Sequence, residues 1–328
     1  MAEIDIPPEF SQREDAKAWV LLSLNLFVVV FGGVIAWHIH TWWAYAIAFV
    51  LVGARAQACY ILQHETMHNL LFTRPQTNER VGIVLSAVLG TQFHLARKMH
   101  WDHHRNLGRT NDPNEFFHDV SDRPPGRKAL VFFLSHLAGA RLVNLCVNLL
   151  KAVLGRPSNR NSGTSRPVAL PPAKARLDFV ALFSTQLTLL IVISLLSSPL
   201  VYFGLFLIPL STLTAFFELL RSFSEHALPG TPSCDAEQNR LFLMDASPVE
   251  RFFISQFDFH YHHVHHLHVN VVTFKVRALH EWLLVNDPSY SSRYQTRPGF
   301  VGTAWRYLHN RPFTGAGVGY PYQNGGGL

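Results

Sequence analysis

The sequence predicts an all-α integral membrane protein of four transmembrane helices in two hairpins, with a histidine-rich helical cap on the cytosolic side. Three observations lead there. Of 328 residues, 48% are hydrophobic and only 15% charged, whereas a soluble domain carries about a quarter charged residues. Several uncharged apolar runs approach or exceed the roughly 20 residues that a helix needs to cross a hydrocarbon core. Nineteen histidines fall mostly into a few tight groups. Together these exclude a disordered chain and an ordinary soluble enzyme. Cys59, Cys146 and Cys234 are too widely spaced for a disulfide framework or a thiolate metal site.

The first span runs from Trp19 to Trp37 without a charge, and the second from Trp42 to about Gln63, interrupted by Arg55. A lone arginine can snorkel to the headgroups. Phe179 to Phe217 is uncharged throughout and too long for one crossing. Ser197-Ser198-Pro199 divides it into a second hairpin. Between the hairpins, Val81 to Phe93 is too short to cross and reads as a re-entrant or interfacial helix. From Leu130 to Leu154, Arg141, Asn144, Asn148 and Lys151 recur at helical spacing on an apolar background, the pattern of a helix lying in the interface plane. Arg156 to Arg176, rich in Pro, Ser, Asn and Gly, reads as a mobile linker. Residues 1–310 are expected to form one membrane-embedded domain, with 311–328 a flexible tail.

The joining turns, His38 to Thr41 and Ser197 to Leu200, contain no lysine or arginine, while Gln63 to Leu177 holds sixteen of the 28. The positive-inside rule then puts both termini and the middle segment in the cytosol. The net charge of +6 fits that topology and contact with anionic lipid. No basic patch with interleaved aromatics suggests nucleic acid. The N-terminus, with Glu3, Asp5 and Glu9, lacks the basic region of a signal peptide. Trp37, Trp42 and Trp43 belong to the aromatic belt of the far interface.

His64-Glu-Thr-Met-His68 lies at the inner end of the second span, and residues four apart share a helical face. Alone it spells the zinc-protease motif, with Glu65 as general base. His100-Trp-Asp-His103-His104 follows the short apolar segment. The same H-x-x-H-H spacing returns at His262, His265 and His266, within the dense run His260 to His268. His226 follows the last span at the mouth of the helix pair. Eight imidazoles, or nine with His226, exceed the needs of one ion and imply two, with four or five ligands each. All-nitrogen ligation suits iron, copper, nickel or zinc. A redox-active pair with open positions for O₂ gives so many ligands a purpose, which favours di-iron.

The boxes HETMH, HWDHH and HHVHH, in this order and placed around two hairpins, resemble those of the membrane fatty acid desaturase family over most of the chain. The resemblance implies iron ligation by His64, His68, His100, His103, His104, His262, His265 and His266. It also implies a ligand some thirty-odd residues before box three, a place His226 fills. Asn111-Asp112-Pro113 resembles a further family segment, and Asp112 or Asp102 is expected to orient a ligand imidazole. The sequence departs from the stearoyl-CoA branch at Ser222, where that branch has an asparagine that helps hold a metal-bound water. It also has His260 where many members have asparagine; His260, His263 and His268 read as supports of the ligands or as polar surface. With no fused cytochrome b5 domain visible, electrons are expected from a separate carrier, a ferredoxin, rubredoxin or cytochrome b5.

The chemistry implied is O₂-dependent formation of a double bond in an acyl or other lipid chain at two Fe ions, with hydroxylation or a related oxidation as the alternative within the superfamily. A membrane zinc protease or a metal transporter are the alternatives outside it. The protease leaves boxes two and three idle. A transporter places its ligands mid-span, whereas these histidines lie beyond the span ends. The bacterial inner membrane is the expected location, or the endoplasmic reticulum in a eukaryote.

Overall fold

A computed structural model describes residues 4–109, 111–114, 123–143, 147, 170–228 and 240–311. The first hairpin is α1 (Asp15–Ile39) and α2 (Trp42–Met67). Asp15 sits in the first turn of α1, where a carboxylate complements the helix dipole, and its Oδ1 accepts hydrogen bonds from the backbone N–H and hydroxyl of Thr73. His40 closes α1 in the left-handed conformation, at φ 55°, so the chain turns within two residues. Next come α3 (Pro75–Val88), α4 (Phe93–Asn106) and α5 (Arg127–Leu137).

The second hairpin is α6 (Pro172–Leu196) and α7 (Pro199–His226). The break between them has a mechanism: Ser198 caps α7 by accepting from the Leu200 N–H, and Pro199 occupies the first turn. All four long helices are apolar enough to cross a membrane. Within α7, Tyr202–Leu207 and Leu210–Thr214 are π-helical. Such turns insert extra residues and so re-aim the face that follows, Ala215–His226.

The spans pack closely where they lack side chains. A Cβ on Gly33 would meet Leu205 Cβ at 2.8 Å, and one on Gly53 would meet Leu213 Cβ at 2.7 Å. Small residues admit backbones to each other in this way inside membranes. The bundle core joins Leu22, Val29, Leu62, Leu85, Ile193 and Phe206.

After α7 the cap contains β1 (Phe242–Met244), α8 (Pro248–Phe253), α9 (His262–Leu267), α10 (Val276–Asn286), β2 (Gln295–Arg297) and α11 (Phe300–Leu308). The two short strands pair in parallel, Phe242 opposite Gln295. One cap core gathers Phe133, Phe223, Phe242 and Phe300, and another sets Val264 of α9 against Leu279 and Leu283 of α10. These cores seat the third histidine box against the bundle.

Several expectations change. Val81–Phe93 is not one helix: α3 starts earlier, at Pro75, and the chain breaks at Leu89–Gln92 before α4. Arg55 does not reach for headgroups. Its Nη2 donates to the Phe252 carbonyl at 2.6 Å and its guanidinium stacks on the Phe252 ring, because α8 packs beside α2 and supplies the partner. The interfacial helix is cut at its start, with α5 ending at Leu137 and Gly139 at φ 85°. Arg141 turns inward to the Tyr60 hydroxyl. Asn144, Asn148 and Lys151 lie outside the described residues, as do 156–169 of the expected linker and 312–328 of the expected tail. The rest of that linker is partly helix, since Pro172–Arg176 opens α6.

Candidate metal centre

Each box owes its place to a helix end. His64 and His68 occupy the last turn and the cap of α2. At 1.5 Å per residue, His64 stands about 33 Å along α2 from Trp42, just beyond a core of about 30 Å. His100, His103 and His104 lie in the last two turns of α4, His226 ends α7, and His262, His265 and His266 share α9. Four separate elements thus converge at one end of the bundle.

The imidazoles sort into two groups. His64, His68, His100, His104 and His265 have potential ligand atoms within 4.8 Å of one another, and so do His103, His226 and His266. His262 joins the second group: its Nε2 lies 3.1 Å from that of His266, and it forms a further ligand cluster with His226 and Glu225. In the first group, Nε2 atoms stand 2.6 Å apart between His68 and His100, 3.0 Å between His100 and His104, and 3.1 Å between His68 and His265. Nitrogens bound to one ion at 2.0–2.1 Å would be separated by about 2.9–3.3 Å for angles between square and tetrahedral. Most of the observed spacings fall in that range.

The rings are held from behind. His64 Nδ1 lies 3.1 Å from Glu65 Oε1, and its buried Nε2 has no hydrogen-bond partner among the described residues, which leaves that nitrogen to face an ion. Glu65 Oε2 accepts from the Thr273 N–H at 2.9 Å. This carboxylate is fully buried behind its histidine and does not stand where a protease's general base would meet water. His103 Nδ1 meets both oxygens of Asp112, at 2.9 and 3.0 Å, and His226 Nδ1 lies 3.2 Å from the Arg240 carbonyl. Such contacts fix the tautomer and ring orientation of a metal ligand.

Burial drives the imidazoles toward the neutral form that binds metal. It lowers His68 to about 3 and His104 to about 2, and holds His100, His262, His265 and His266 well below the usual imidazole range, with neighbouring histidines adding to the effect.

Other predicted residues lie elsewhere. Asp102 points to Lys98 and Arg105, since its place on α4 faces away from the boxes; among the described residues no imidazole is within hydrogen-bond distance of it. His260 is buried against the Tyr261 ring and stands outside both groups. His263 turns from the site to the Tyr290 hydroxyl, at 3.0 Å, which His280 Nδ1 also meets at 2.7 Å. Sequence reasoning missed Glu225, whose Oε2 lies 3.9 Å from His262 Nε2. Its only signal was its position beside His226.

Fold and site define a membrane-embedded protein whose histidine clusters are compatible with metal. A family model, Fatty acid desaturase, matches residues 40–298, and the chain belongs to that family. No curated protein matches the chain. Membership implies an oxidoreductase of the desaturase and hydroxylase type, associated with the membrane and acting on a lipid or acyl chain, and it points to iron as the metal.

Proposed function

We propose that the protein is a non-haem di-iron desaturase that uses O₂ to introduce a double bond into an acyl or lipid chain. The carrying observation is the sorting of all nine candidate histidines into neighbouring groups of five and four. His64, His68, His100, His104 and His265 would hold one iron, and His103, His226, His262 and His266 the other. When bound, such a pair supplies the oxidising power to remove hydrogen from an unactivated methylene, which side-chain acid–base chemistry cannot do. The chain's own residues do the rest: Glu65, Asp112 and the Arg240 carbonyl orient ligands, and the spans bring the substrate carbon from the bilayer to the ligand layer. The charge distribution supports a topology with termini and cap in the cytosol, where a separate carrier, a ferredoxin, rubredoxin or cytochrome b5, would deliver electrons.

The test is metal content and product. Freshly purified protein should hold close to two irons per chain by mass spectrometry, with a Mössbauer signature of high-spin non-haem iron. His104→Ala and His266→Ala should each lower the iron content and abolish turnover. Cells with the gene should contain an unsaturated lipid absent without it; a hydroxylated product instead would assign the alternative oxidation. One zinc and no iron in protein protected from metal exchange would refute the proposal.

A further inference from the structure

Among the described residues, two rings other than imidazoles touch the histidine groups. Phe259 meets His64 and His262, at 5.0 and 4.6 Å between centroids, but it is buried. Trp101 meets His68 at 4.7 Å and His104 at 6.0 Å, and it is only half-buried. The larger aromatic cluster of the cap, Tyr261, His263, Tyr290 and Tyr294, packs within itself and against His260 and His280. None of its rings meets one of the nine candidate ligands among the described residues. Trp101 is therefore the ring that joins the surface to the ligand layer. Beyond it, His104 stacks on His266 of the other group, at 4.3 Å between centroids and 28° between planes, so the contact continues from one group to the next.

Cations surround this indole because of helical geometry. Arg97 and Arg105 lie one turn to either side of Trp101 on α4, and Lys98 lies three residues before it, so all three share its face. Arg109 follows shortly after the helix ends. Lys98, Arg105 and Arg109 are exposed and Arg97 is half-buried. Asp102, the only carboxylate in α4, is shared by Lys98 and Arg105 at 3.3 Å each. Arg97 and Arg109 have no carboxylate partner among the described residues, so the face stays strongly positive. It also stands outside the hydrocarbon. Trp101 packs on His68, which caps α2 about 39 Å along its axis from Trp42, against a hydrocarbon core of about 30 Å.

We infer that the outer face of α4 is the docking surface for an acidic one-electron carrier protein, with Arg97, Lys98, Arg105 and Arg109 steering it into place and Trp101 bridging it to His68 and His104. The inference rests on the oxidase reading above. Each encounter oxidises the carrier by one electron and turns one ferric ion ferrous, so two encounters reduce a pair. The indole is neither oxidised nor reduced; its π-bonded atoms fill the gap that water would otherwise occupy between carrier and ligands. Anionic headgroups would also be drawn to these cations, but they would not account for a ring that connects the surface to two ligands.

A control is built into the site. A cavity of about 270 Å³ has His64 and His100 in its wall and does not include Trp101, so a small reductant can reach the ligands by another way. The detergent-solubilised full chain, with iron measured on each sample, is mixed anaerobically with reduced plant-type ferredoxin, an acidic and strongly reducing carrier. Binding is read by calorimetry, and electron uptake by stopped-flow absorbance. Arg105→Glu combined with Arg109→Glu should weaken binding by about ten-fold or more at low salt, and high salt should remove most of that difference. Trp101→Leu should bind ferredoxin within about two-fold of the parent, because it leaves the charges in place, yet take up its electrons several-fold more slowly. Its iron content, thermal midpoint and rate of reduction by dithionite should match the parent's, and Trp101→Phe should recover most of the ferredoxin rate. Ferredoxin that fails to bind, or uptake as fast in Trp101→Leu as in the parent, would overturn the inference. So would binding indifferent to the charge reversals, which would leave the face to headgroups, or equal slowing with dithionite, which would make the indole a support of His68. Any of these in protein with two irons per chain fails this inference alone, whereas a parent without iron fails the oxidase reading and the bridge with it.

Discussion

Asp112→Asn is the sharpest probe of how the second histidine group is held. Both oxygens of the buried Asp112 carboxylate meet His103 Nδ1, at 2.9 and 3.0 Å, and Oδ1 also accepts from the Asn114 N–H at 2.8 Å. In the asparagine variant the amide oxygen can keep the Asn114 contact, which preserves the loop. The NH₂ then replaces a carboxylate oxygen facing an imidazole N–H. A hydrogen bond to a charged group contributes about 1.5–3 kcal/mol, and loss of such a ligand-orienting partner lowers metal affinity by about 10–100-fold. The expected result is selective. Iron competition against a chelator should show one step weakened by that factor, the step of His103, His226, His262 and His266. The step of the five-histidine group should stay within about two-fold. Two unchanged steps, or two equally weakened ones, would refute the division into groups and the role of Asp112.

Metal-free protein should lose stability as pH falls. Burial places His68 near 3 and His104 near 2 in the folded state, against about 6.5 unfolded; below 6.5 the unfolded chain therefore binds more protons. The thermal midpoint should drop steadily from about pH 6.5 toward pH 3, and a midpoint flat between pH 7.5 and 5 would contradict the burial argument. Glu65→Gln should weaken iron binding by about ten-fold or more, through the His64 contact, with no peptidase activity to lose; casein hydrolysis by the parent that vanishes in the variant would restore the protease reading. Gly53→Ala places a methyl 2.7 Å from Leu213 Cβ and should destabilise the bundle by about 1–3 kcal/mol, read as a lower thermal midpoint. An unchanged midpoint would show that α2 and α7 separate freely there.

Much was legible because it depends on local chemistry. Uncharged runs of membrane length must become helices to satisfy their backbone in lipid, so the spans and the Ser198-Pro199 turn could be read residue by residue. Histidines at spacings of three and four identify helical faces without any fold. Misreadings arose where a distant partner decided the outcome. Arg55 is satisfied by Phe252 and Arg141 by Tyr60, contacts between residues 197 and 81 positions apart, which no window along the chain contains.

By itself, then, the sequence determined four membrane helices, their pairing, and which histidines were available to a metal, since periodicity and hydropathy act over one or two turns. Only the tertiary structure decided how those histidines divide, with His265 joining box one and His266 joining His103 and His226. Adjacent residues on α9 point about 100° apart, so they meet different helices. The cavity beside His64 and His100 was likewise invisible, because Tyr60, Met99 and Arg221 come from α2, α4 and α7 and share a wall only when those helices pack.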